Sequence, residues 1–224
     1  MLEIVTDLEK FTERADEISL DEDRKLAFRI AGELKRAVLD NGLQALSAPQ
    51  LGYPYRLLCI RFQTKSSTPD VRVYINPIIS QTKGFTLVRQ KDVSLPSREF
   101  IHPRSTEINM MYQTLEGGSF ISTFTGAVAF QLQQEVDLLD GMTLETIGLE
   151  VDELFDTAGE EEKNELLEAY LKAVDEYKSK LEAEIKENPD LSAINNAAKF
   201  MSQVESGEIR IEKNLKIEGS IEEE

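Results

Sequence analysis

Four short apolar runs, Tyr55 to Phe62, Val71 to Ile75, Gly84 to Val88 and Thr106 to Gln113, lie between two segments of helical periodicity, and this arrangement most constrains the fold. Runs this short, bounded by turn clusters such as Lys65 to Asp70 and Glu116-Gly117-Gly118, read as strands. Upstream, Leu20, Ala27, Ile30, Ala31, Leu34 and Val38 recur at helical spacing, with Ser19 and Asp21 as candidate N-caps and Asn41-Gly42 as the stop. Downstream, Val128, Leu132, Glu135, Val136 and Leu139 fall on neighbouring turns of a helix expected over Thr123 to Leu139. The pattern predicts an α+β fold with an antiparallel or mixed sheet.

Charge divides the chain near residue 150. Residues 1–150 hold 21 acidic and 16 basic side chains, and residues 151–224 hold 21 and 9. Two units are therefore expected, a 1–150 domain and a 151–224 acidic helical extension. In the extension Leu166, Leu167, Tyr170, Leu171, Val174, Tyr177, Leu181 and Ile185 form an apolar stripe on a charged helix over about 160–187. Asn188-Pro189-Asp190 stops it, and a second helix is expected over about 190–205. In the tail, 206–224, Ile209 and Ile211, then Leu215 and Ile217, alternate in period two, as a hairpin or a single added strand would. The formal charge of −17 disfavours nucleic acid and anionic membranes as partners. The longest apolar runs, such as Leu57 to Ile60, fall far short of the roughly 20 residues of a membrane-spanning helix. MLEIVTDLEK lacks the marks of a secretory signal and the single Cys59 makes no internal disulfide, so a cytoplasmic setting is expected.

Three segments, in order, carry a family pattern: Leu43-Gln-Ala-Leu-Ser-Ala-Pro-Gln50-Leu-Gly52, Asp92-Val-Ser-Leu-Pro96 and Gln134-Glu-Val-Asp-Leu-Leu-Asp-Gly141. They resemble the motifs of peptide deformylases, a Gly-rich stretch ending in Ala-Ala-x-Gln, then Glu-Gly-Cys-Leu-Ser, then a helical His-Glu-x-x-His. Ile75-Asn76-Pro77 and Pro103-Arg104 sit where that family has Ile-Asn-Pro and Pro-Arg. The resemblance covers about residues 1–150 and implies a sheet around a central helix. It also implies removal of the formyl group from N-terminal formylmethionine by a divalent metal held by the motif Cys and both His. In the family the motif Glu moves protons, and the Gln with the backbone N–H after the Cys stabilises the oxyanion.

Carried onto this chain, the ligand positions are Asp92, Gln134 and Leu138. Asp is a competent oxygen ligand, a Gln carbonyl is a weak one, and Leu has no lone pair. Leu43 and Ala45 replace motif glycines, Gln90-Lys91 replaces Glu-Gly, and Glu99 stands where an Arg is common. The expectation is therefore a pseudoenzyme with no metal and no cofactor, in which Gln50, Glu135 and Asp137 are vestigial. Its role would be that of a structural or protein-binding subunit of a larger assembly. A bacteriophage virion, in its tail or baseplate, is one such setting. Other protein subunits would meet it through Leu167, Tyr170, Val174, Tyr177, Ile209, Ile211, Leu215 and Ile217, unless the stripe packs on the chain's own domain. Two further functions stay open: a hydrolase with unconventional ligation through Asp92, Gln134 and Glu135, and a binder of N-terminal Met peptides retaining Gln50 and the backbone around Val93.

Each residue also has a plainer reading. Glu135 and Asp137 are solvated or salt-bridged, Gln50 hydrogen-bonds loop backbone, and Leu138 fills core. His102, the single His, lies at a strand edge beside Pro103, too isolated for a His-based metal site. Cys59 is a small buried hydrophobe, and Gly117-Gly118 a hairpin turn.

Overall fold

Helix α1 (Arg24–Asp40) turns Ile30, Leu34 and Val38 toward a sheet, as its apolar spacing predicts, and stops at Asn41. Its start is later than Ser19 or Asp21: Asp23 N–H donates to the Ser19 carbonyl in a preceding turn, and the helix begins after it. The computed structural model describes residues 3–62 and 69–187. The second predicted helix, at 190–205, and the tail with Ile209, Ile211, Leu215 and Ile217 lie outside these residues.

After α1 come β1 (Ala45–Ser47), β2 (Leu57–Phe62), β3 (Asp70–Lys83), β4 (Thr86–Gln90), β5 (Phe100–Arg104), β6 (Glu107–Gln113) and β7 (Ser119–Thr125). Then follow α2 (Gly126–Leu139), α3 (Leu144–Ile147), β8 (Leu149–Glu150), α4 (Glu153–Thr157) and α5 (Glu160–Glu187). Strands β1-β2-β3-β6-β7 form one antiparallel sheet and β4-β5-β8 a second. This is the α+β class expected.

The five-stranded sheet is covered on both faces. Leu58 and Ile60 of β2 meet Leu132, Val136 and Leu139 of α2, while Leu57 and Cys59 meet the α1 side with Ile30 and Leu34. A strand buried on both sides needs apolar residues at every position, which explains the unbroken run Leu57-Leu-Cys-Ile60. Each fully buried Leu or Ile contributes roughly 2 kcal/mol of transfer free energy. α2 thus lies against the sheet as a central helix, and its polar residues cannot all face water.

The structure also departs from the expected elements. β3 runs well past Ile75, because register shifts at Ile75/Ile78 and Ile79/Gln81 absorb Pro77, which has no N–H to offer a ladder. β5 escapes sequence reading because it contains Pro103; β8 pairs with Phe100 and Ile101, so His102 and Pro103 are in ladder register with β4 alone. The segment from Thr123 opens as strand β7, and α2 starts only at Gly126, whose φ of 59° makes the corner. Gly117-Gly118 does form the β6–β7 hairpin turn.

Asn76 sits at the first β3 irregularity with φ of 48°. Its Oδ1 accepts from Ile18 N–H at 3.0 Å, and its Nδ2 donates to the Ile18 carbonyl at 3.0 Å and to Gln113 Oε1 at 2.9 Å. One side chain thus ties the N-terminal segment to two strands. Asn76→Ala removes those bonds and keeps a Cβ in the left-handed region without Asn's tolerance for it. It is expected to cost about 2–4 kcal/mol in urea unfolding, with the m-value unchanged.

Candidate functional site

Three separate stretches bring the motif residues together. Gln50 lies in a 3-10 turn, Ala48–Leu51, that Gly52 closes at φ of 80°. Asp92 lies in the connection after β4, and Gln134, Glu135 and Leu138 are buried positions of α2. All five side chains are buried.

Asp92 is the hub. Its Oδ1 accepts from Gln50 Nε2 at 3.0 Å and from the Ser94 backbone N–H at 2.7 Å, and its Oδ2 accepts from Gln134 Nε2 at 3.3 Å. Gln50 Nε2 also donates to Ser94 Oγ at 3.3 Å, and Gln134 Nε2 to the Lys91 carbonyl at 3.1 Å. The other end of Gln50 is held as well, its Oε1 accepting from Ser47 N–H at 2.9 Å and Ser47 Oγ at 3.1 Å. Gln50 does bond loop backbone, as its plainer reading predicts; its contact with Asp92 is additional.

Burial raises the Asp92 pKa, and the bonds from Ser94, Gln134 and Gln50 work against that rise. Glu135 is pushed up to about 8, chiefly by loss of water and next by the nearby Asp92 charge, while bonds from Gln131 and Ser47 and the charge of Arg104 partly oppose it. The reading of Glu135 as a solvated or salt-bridged carboxylate is therefore corrected: it faces inward, and its described hydrogen bond is from Gln131 Nε2 at 3.1 Å. Asp137 does pair, with the buried Arg104, which also donates to Gln90 Oε1 at 2.6 Å. Leu138 packs as core at 2% exposure, and so does Cys59, whose thiol burial pushes its pKa up.

The three positions do not fit the divalent metal that the resemblance implies. Leu138 offers no donor atom, and the side-chain amide of Gln134 turns its N–H groups, not its oxygen, toward Asp92. Among the described residues no group of three or more His, Cys, Asp or Glu side chains is gathered to hold a metal ion.

Of the predicted partner-binding residues, Tyr170 makes contact within the chain. Its hydroxyl donates to the Ile147 carbonyl at 2.7 Å and lies 2.7 Å from His102 Nδ1 of β5. Tyr170 thus contacts the chain's own body, the alternative left open for the stripe. Leu167 and Val174 are half-buried, and Tyr177 lies in α5. Sequence reading gave no role to Ser47 and Ser94, although both lie inside the quoted motif segments, nor to Gln131.

Comparison with known proteins adds a family. The model of a family described as polypeptide deformylase matches residues 1–147. A peptide deformylase of Chlorobium limicola is 34% identical over 100 residues, 43% of this chain and 53% of the relative. Peptide deformylase 2 of Gloeobacter violaceus is 31% identical over 123 residues, 54% of this chain and 64% of the relative. The chain spans about half the length of the first of these curated relatives. Among solved structures, a class I type b peptide deformylase of Acinetobacter baumannii bound to Met-Ala-Ser superposes with a TM-score of 0.59 at 21% identity, covering 65% of this chain and 98% of the other. A probable peptide deformylase from Synechococcus phage S-SSM7 gives a TM-score of 0.60 at 21% identity, covering 65% and 99%. The expectation of a pseudoenzyme is corrected by these matches: the relatives and neighbours carry the names of enzymes, and three altered positions do not by themselves remove an activity.

The high pKa of Glu135 gives a signed pH dependence. Its unfolded value is near 4.5 and its folded value about 8, so the native state holds a proton that the unfolded chain releases between those values. Stability then falls as pH rises through that window and levels above it. Glu135→Gln is expected to flatten this decline and leave the variant more stable than the parent at pH 8, read by denaturant unfolding across pH 5 to pH 9.

Proposed function

Because this chain belongs to the peptide deformylase family, whose model matches residues 1–147, we propose that it uses that fold as a protein-binding subunit of a larger assembly, with the segment after residue 150 as the contact. The observation that carries this reading is the length of α5 against its anchorage. Its 28 residues extend about 42 Å at the rise of an α-helix, and the described hydrogen bonds joining it to α3 and β5 converge on Tyr170. Leu166 on the same helix is 42% exposed. Residues 151–224 carry 21 acidic and 9 basic side chains, so a fitting partner presents an apolar groove rimmed by Lys or Arg. A bacteriophage tail or baseplate is an assembly of this kind. The support for that setting is that phage proteins are among the solved structures sharing the fold.

Hydrolysis of formylated peptides is the second reading, favoured by the enzyme names of the relatives and by Glu135 and Gln50 standing at the family's proton-transfer and oxyanion positions. Turnover of a formyl-Met peptide, assayed with and without added iron, nickel or zinc, decides whether it holds.

For the first reading the decisive experiment is crosslinking and mass spectrometry of the assembly isolated from its native source through a tag on this chain. Crosslinks from Lys163 and Lys172 of α5 to another polypeptide are expected. They should fall at least tenfold in a Leu167→Glu/Val174→Glu variant with a circular-dichroism spectrum like the parent's. A chain isolated as a monomer, with these lysines crosslinked only within it, contradicts the reading.

A further inference from the structure

We propose that Asp92, Gln50 and Gln134 form a closed polar plug, in which side-chain N–H donors stand where the family's metal would, holding the motif turn, the loop after β4 and helix α2 together and turning divalent cations away. The disagreement between donor set and metal is the starting point, and the closure of the network carries it further.

Each amide nitrogen has two hydrogens, and both are used in each case. Gln50 directs its pair to Asp92 Oδ1 and Ser94 Oγ, and Gln134 directs its pair to the Lys91 carbonyl and Asp92 Oδ2. Neither orientation is free to reverse. Turning Gln50 over would set its NH2 against the Ser47 backbone N–H, which now donates to Oε1 at 2.9 Å. Turning Gln134 over would set its oxygen against both the Lys91 carbonyl and the Asp92 carboxylate. A cation entering beside Asp92 would therefore meet the positive ends of these N–H bonds. Its alternative is to rotate both amides and forfeit four hydrogen bonds in a buried site. Leu138, 2% exposed on the same helix, offers no donor in return.

The plug also reaches across the fold. Residues 50, 92 and 134 belong to three separate stretches that the carboxylate joins, and the Ser94 N–H at 2.7 Å adds a third donor from the loop itself. In this chain the carboxylate does structurally what a bound ion does, gathering donors of opposite polarity from separate elements.

The test uses the full chain with cobalt(II) as the probe metal. No saturable visible absorption from protein-bound cobalt is expected, and the melting temperature should be the same with EDTA as without. Asp92→Asn should lower that temperature by about 5 °C, because donors that face a carboxylate then face an amide. Combining it with Gln134→Leu should cost clearly less than the two single changes together, since both variants break one network. A cobalt band saturating at one equivalent on the parent but absent from Asp92→Asn would overturn the proposal. So would a fall in melting temperature on chelation, or additive effects of the two substitutions. The cobalt and EDTA measurements on the unaltered chain decide the question even where Asp92→Asn does not fold. They are also independent of whether the extension binds a partner.

Discussion

A carboxylate removed from water is stable only where enough donors converge on it, and Asp92 meets that requirement from three directions at once. The donors come from Gln50 in the motif turn, from Ser94 in its own loop and from Gln134 on α2. Each of those residues must be held in place for the carboxylate to be tolerated. The turn at Ala48–Leu51, the loop after β4 and the seating of α2 on the sheet are thus mutually dependent. Glu135 follows from the same arrangement. It lies one residue along the helix from Gln134, turned inward beside a charge already satisfied, and so it keeps its proton to a pH near 8.

The two-sided burial of the five-stranded sheet provides the frame for this cluster. α1 and α2 cover opposite faces, and β2 contributes to both cores through alternate residues. The C-terminal end of α2 is fixed by Arg56, whose guanidinium donates to the Leu139 carbonyl at 3.1 Å, Asp140 Oδ1 at 2.6 Å and the Pro77 carbonyl at 3.1 Å. Arg104, paired with Asp137, holds the same helix from β5. With these contacts and the apolar seam, α2 has little freedom to rotate, and the polar side chains on its inner face are committed to partners within the protein.

How much of this could be read from residues alone differs by element. α1 and α5 were legible because their apolar spacing is regular, and α1 also carries Asn41-Gly42 at its end. β5 and β7 were not, since Pro103 and the Ser/Thr-rich stretch Ser119–Thr125 weaken the strand signal that sheet neighbours then supply. The three motifs placed Gln50, Asp92, Gln134, Glu135 and Leu138 in one site, and the structure does bring them together. What they do there was beyond the sequence. Whether a Gln presents its oxygen or its nitrogen is set by what faces it, and Ser47 N–H and the Lys91 carbonyl are backbone groups that no side-chain pattern reveals. The Ile147 carbonyl that Tyr170 meets is likewise a backbone group that no side-chain pattern reveals.

Hydrogen exchange of the Gln50 and Gln134 side-chain amides, followed by nuclear magnetic resonance with nitrogen-15 labelling, tests the central claim most directly. If these four N–H groups are closed onto Asp92, Ser94 and Lys91, they exchange orders of magnitude more slowly than the amides of exposed Gln residues, and only through opening of the fold. Exchange at the rate of exposed side-chain amides would mean that the cluster is open to water, and would contradict the account.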